Sequence, residues 1–247
     1  MANTMAVGAR SKWTAERRFY TIMAIAMLVA VYVGFARSFF LRPLFPGWPS
    51  PAEPVFYVHG AFFTAWMVLL AAQAVLVATR RIDLHRKLGM AGVAVAVGMV
   101  VLGMVGSLLA ANRPTGFIGV PVPPLQFLVV PFFDLVFFSV FVSLAIARRG
   151  DPQAHKRLML LATVSMLGAA FARWPYLWQN PNPFVFYGLA DLFIVALAVW
   201  DFRTRGGLHP VTRWGGLALI VSVPARLALS GTAAWLAFAT WLTGLAR

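Results

Sequence analysis

The chain alternates long apolar runs with short basic or Pro/Gly-rich breaks. Seven runs are long enough to be drawn as helices crossing a bilayer. They cover about residues 19–36, 55–78, 88–110, 125–147, 157–174, 184–202 and 215–244. The pattern predicts an all-α, polytopic membrane bundle of about seven transmembrane helices. It forms a single membrane domain over 1–247, with a short basic segment at 1–18. The seventh run contains Pro224 and Arg226. It reads either as a kinked helix or as an interfacial piece followed by a shorter span.

The breaks alternate in character, and this sets an orientation. Fifteen Lys and Arg fall before run 1 and between runs 2 and 3, 4 and 5, and 6 and 7. The opposite breaks and the C-terminus hold five, and Arg226 lies inside run 7. The positive-inside rule then predicts a cytoplasmic N-terminus and an outer C-terminus, in a bacterial inner membrane. The other breaks, such as "RPLFPGWPSPAEP" and "RPTGFIGVPVPP", are rich in helix-stopping Pro and Gly. "MANTMAVGARSKWTAERR" has no clear small-x-small cleavage site, so run 1 reads as a retained helix.

Composition agrees with this picture. The chain is 61% hydrophobic and 11% charged, with a mean hydropathy of +0.79. A soluble domain carries about 25% charged residues. The net charge of +14 does not point to nucleic acid, because the bases sit in short loops and form no binding stripe. The expected partner is the lipid bilayer. A membrane-protein partner or a homo-oligomer is left open. With no cysteine, disulfides, thiolate metal sites and a Cys nucleophile are excluded.

Small residues predict which helices lie inside. Gly92/Ala96 and Gly103/Ser107 in run 3, and Ser165/Ala169 in run 5, are four apart and would let backbones approach closely. Runs 3 and 5 are therefore expected in the bundle interior. Gln73 is expected to hydrogen-bond between helices.

Two basic breaks echo each other. "RRIDLHRKLGM" starts at Arg80 and "RRGDPQAHKRLML" at Arg148. Both join hairpins of the same sense, 55–110 and 125–174, which suggests parallel repeats. His85 and His155 would then lie at one depth, as a bis-His haem b requires, with Arg86 and Lys156 placed for the propionates. The competing reading makes these residues headgroup anchors, with Asp83 and Asp151 as helix N-caps.

A second set of ionisable residues falls on the outer side. His59, Asp134, Asp191 and Arg173 share roughly one depth. They read as a salt-bridge network in which Arg173 satisfies a carboxylate, or as a proton, ion or small-ligand site. A metal site is the weakest option, since only His59 supplies nitrogen, and no metal is assigned. No Gly-x-Ser-x-Gly, P-loop or dinucleotide motif occurs, so whether the chain is an enzyme stays open.

"HGAFF" opening run 2, "LHRKLG" opening run 3, and "RRGDPQAHKRLML" followed by Arg173 resemble a bacterial family of multi-helix membrane proteins. That family is catalogued mainly as a domain of unknown function. The resemblance covers about residues 55–175, and "DLFIVALAVWDFRTRGGLHP" is similar to the tail of such proteins. The family's helix-end histidines are distantly similar to those of b-type transmembrane cytochromes. That likeness implies an inner-side pair of His85 and His155 and leaves His59 without an outer partner. Three functions stay open: a haem-associated or redox protein, a transporter with an outward-facing His/Asp/Arg site, and an accessory or assembly subunit without chemistry.

Overall fold

The computed structural model describes the backbone of residues 2–246 and the side chains of residues 14–246. The side chains of Arg10, Lys12 and Arg247, counted above for orientation, lie outside the described residues. Ten α-helices and no strands are found among the described residues. They are α1 (Ala2–Phe35), α2 (Pro54–Ala78), α3 (Ile82–Asn112), α4 (Pro124–Phe127), α5 (Val129–Ala147), α6 (Pro152–Phe171), α7 (Pro175–Gln179), α8 (Pro183–Arg205), α9 (Pro210–Leu229) and α10 (Ala233–Gly244).

Helix starts follow simple chemistry. Six of them open on proline, whose missing N–H is no loss at the first position and whose φ already suits a helix. Asp151 caps α6 by accepting from the N–H groups of Gln153 (2.9 Å) and Ala154 (3.2 Å). Asp83 does not play this part. The N-cap of α3 is Arg81, which makes no side-chain capping bond, and Asp83 lies inside the first turn. Gly206 ends α8 with φ +74°, a left-handed conformation that glycine adopts without strain.

Five segments are each long and apolar enough to cross a bilayer: Thr14–Phe40, Pro54–Ala78, Ile82–Asn112, Pro124–Ala147 and Pro183–Arg205. The last apolar run is broken rather than kinked. α9 and α10 meet at 90° around Gly231, and α9 runs unbroken through Pro224. The chain is thus a polytopic helical bundle. One end gathers the turns at 79–81 and 148–151, with Arg80, Arg81, Arg148 and Arg149, and the turn at 206–209, which follows Arg203 and Arg205. At the other end Trp48 and Trp178 pack with ring centroids 5.2 Å apart, and Gly119 lies against the Trp178 ring.

Helix α6 is the centre of the bundle. It packs on α1, α5, α8 and α9, and most of its side chains are buried. Its first turns carry Gln153, His155, Lys156 and Arg157, which lowers its hydropathy below that of the lipid-facing helices. A helix wrapped by others does not need apolar residues all round. α3 departs from expectation: it packs on α2, α5 and α10 but exposes Met90, Val97, Val101 and Val105. Gly103 is buried against Leu135, whereas no other residue lies within 4 Å of where a side chain at Gly92 would begin. On α6, Ala169 faces outward. The close approach there is made by Gly168 under the Tyr187 ring, and by Ala170, whose backbone meets Gly34 of α1.

Candidate functional site

His85 and His155 are each the fourth residue of their helix, α3 and α6. Both helices pack on α5, so their first turns meet near its C-terminal end. The two imidazole rings stand 6.5 Å apart between centroids, with planes 86° to each other. His155 Nδ1 lies 2.8 Å from the Ala145 carbonyl of α5. Donating there fixes the tautomer and leaves Nε2 as the basic nitrogen. His85 Nδ1 is buried and has no hydrogen-bond partner. Gln73 Nε2 donates to the His85 carbonyl at 3.1 Å and so ties the first turn of α3 to α2.

The flanking bases divide. Arg86 is exposed. Lys156 is not held ready for an anionic ligand. It pairs with Glu16 of α1, and its ammonium lies 4.7 Å from the centre of the Tyr20 ring. Gln153 Nε2 also donates to Glu16, at 3.2 Å.

Arg157 behaves unlike its neighbours. It is 1% exposed, and its guanidinium forks onto Asp201 of α8, which is fully buried. Gln153 takes Arg157 Nη1 through its backbone carbonyl (2.8 Å) and its side-chain oxygen (2.7 Å). Asp201 further accepts from the His209 N–H (3.0 Å) and from Thr212 Oγ1 (2.6 Å). The network joins α1, α6, α8 and α9, and a buried ion pair persists only when satisfied in this way.

His209 closes it as the N-cap of α9, its Nδ1 accepting from the Val211 N–H at 3.1 Å. Burial, and then the positive charges of Arg157 and Arg205, hold this imidazole below its ordinary pKa. The neutral ring is thus the one that caps. A depressed pKa contributes stability that is full above the unfolded-state value and is lost as pH falls toward the folded one. Thermal stability should therefore fall as pH drops below the ordinary histidine value of about 6.5, and His209→Asn, which caps without titrating, should flatten part of that slope. An equal slope in the variant would remove His209 from the effect.

The outer set is rearranged. Asp134 is 4% exposed and pairs with Arg226 of α9 at 2.5 Å, not with Arg173. Tyr187 OH lies 3.4 Å from both Asp134 oxygens and 3.2 Å from Arg226 Nη1. Asp191 lines a cavity of about 10 Å³ with Ser165, Tyr187 and Arg226. Arg173 instead lies just past α6, donates to the Ala169 carbonyl in the last turn of that helix and lies over the Phe35 ring. His59 stacks on Phe63 at 4.1 Å, its Nδ1 facing the Leu102 carbonyl at 3.4 Å. Neither His59 nor Arg173 hydrogen-bonds to Asp134 or Asp191. The four residues do not form one site, and Arg226 takes the place expected of Arg173.

No family model, curated protein or solved structure matches this chain.

Proposed function

We propose that the protein is a haem-associated redox protein of the bacterial inner membrane, its N-terminus cytoplasmic, with His85 and His155 as axial ligands to one iron. The observation that carries this reading is the juxtaposition of the two imidazoles. For both imidazoles to hold one iron at roughly 2 Å per metal–nitrogen bond, their rings would need to lie roughly 6 Å apart. The rings here stand 6.5 Å apart.

Three further features fit. The Ala145 carbonyl orients His155 as second-sphere carbonyls orient metal-bound imidazoles. The orphaned His85 Nδ1 is a buried nitrogen that needs a partner. Among the described residues no group of three or more His, Cys, Asp or Glu is placed to hold a metal ion. Two imidazoles are a poor site for a bare ion but suffice for haem, which brings four nitrogens of its own. The resemblance to b-type transmembrane cytochromes points the same way. When bound, the haem would supply one-electron chemistry at the basic end of the bundle. With Lys156 taken by Glu16, Arg86 is the base left to meet a propionate.

Expressed with ample haem and purified, the protein should show reduced Soret and alpha bands on adding dithionite. His85→Ala and His155→Ala should each abolish the low-spin alpha band, and His59→Ala should leave it intact. A wild-type protein without bands, or bands surviving both substitutions, would defeat the proposal.

A further inference from the structure

Asp191 is the ninth residue of α8, about 12 Å along the helix at 1.5 Å per residue. α8 is long and apolar enough to cross a bilayer, so this carboxyl lies at hydrocarbon depth. It sits at a seam. Leu192 and Val195 beside it are exposed and would meet lipid, whereas Tyr187, Ala190 and Ile194 are buried in the bundle. An ionised carboxylate does not persist there alone. It pairs with a cation or takes up a proton.

The nearby cation is already taken. Arg226 of α9 is the one basic residue lining the cavity beside Asp191. It pairs with Asp134 of α5 at 2.5 Å. Tyr187 OH lies 3.2 Å from Arg226 Nη1 and 3.4 Å from both Asp134 oxygens. α6, which also packs on α8, brings Val164 and Ser165 to the cavity and no charged group. Among the described residues the Asp191 carboxyl is in no hydrogen bond or ion pair. Two carboxyls thus share one guanidinium, and with both ionised a net negative charge would stand in a medium of low dielectric.

The cavity limits what can balance that charge. Its volume of about 10 Å³ has room for about one water and for no organic cation. A bare metal ion fits the volume but not the lining. Hard cations such as magnesium take about six oxygens. Here only Ser165, Tyr187 and Asp191 bring side-chain oxygens, and the Arg226 guanidinium repels a second cation from the same space. The cation that remains is a proton.

We propose that Asp191 is a proton-binding site within the bilayer, its carboxyl neutral at neutral pH, while Asp134 is the ionised partner of Arg226. The site lies toward the end opposite the basic turns, and it stands whether or not the His85–His155 pair holds a haem.

The test is infrared absorption of the full chain in lipid nanodiscs at neutral pH, taken as wild type minus Asp191→Asn. The difference should contain the C=O stretch of a carboxylic acid and no carboxylate stretch, although aspartates in water are ionised at that pH. Adding sodium, potassium or magnesium chloride should leave the acid band unchanged. Asp191→Asn, whose amide has the shape of the neutral acid, should unfold at the wild-type temperature. Carboxylate stretches in place of the acid band would overturn the proposal and mark an ionised Asp191. Loss of the acid band on adding one of the salts would overturn it too, and would mark a metal-cation site. So would an Asp191→Asn protein clearly less stable than the wild type, because the fold would then depend on the negative charge.

Discussion

Asp201→Ala should destabilise the protein by about 3–5 kcal/mol, the cost of stranding one charge of a buried pair. Arg157 would be left with its Nη1 still held by Gln153 and with Nε and Nη2 facing an apolar gap. The His209 N–H and Thr212 hydroxyl would lose their acceptor as well. Asp201→Asn should recover little, because an amide can accept from Thr212 but cannot balance a guanidinium. The double variant Arg157→Met/Asp201→Leu should recover most of the loss, since no charge is then left unpaired, though the His209 and Thr212 donors stay unsatisfied. Thermal denaturation in detergent gives the ranking directly. A single-variant cost below about 1 kcal/mol would mean that water reaches the pair.

The elements of this fold were more legible than their rotations. Each of the seven apolar runs contains helix, because segregation of apolar from basic and Pro/Gly-rich stretches is local information. The Asp151 cap was legible too, since the proline after it opens the helix. Asp83 looked equivalent in the echo but lacks that proline and sits two residues past the N-cap, Arg81. What the pattern left open was which face of a helix looks inward. Arg157 lies among basic residues at the edge of a run, yet it is two residues beyond His155 on a central helix and points at α8. Its partner Asp201 is 44 residues away.

The same limit explains the outer set. Shared depth is readable from position within a run, and it grouped His59, Asp134, Asp191 and Arg173. Contact also needs the right azimuth, which depends on how non-adjacent helices pack. Arg226 lies 92 residues from Asp134, in the middle of the seventh run and far from either end. Its position was itself the signal. A guanidinium deep in an apolar stretch must find a carboxylate, and few carboxylates lie at its depth. The His85–His155 proximity came instead from the echo between the two basic turns, a comparison internal to the chain.

Asp134→Ala should cost a similar 3–5 kcal/mol, and here the partner has less recourse. Near the basic end, a stranded Arg157 lies in the second turn of α6 and can seek water by repacking. Arg226 sits seventeen residues into α9, about 24 Å along the helix at 1.5 Å per residue, and faces the bundle rather than the lipid. Its other partners, Tyr187, Ser222 and the Val130 carbonyl, are neutral and cannot balance its charge. Arg226→Met should be comparably harmful, because it strands the Asp134 carboxylate with only the Tyr187 hydroxyl. A double-mutant cycle should therefore give a coupling of several kcal/mol, with Asp134→Leu/Arg226→Met near the wild type. The double variant should therefore unfold like the wild type. Single variants as stable as the wild type would show that the pair is not desolvated.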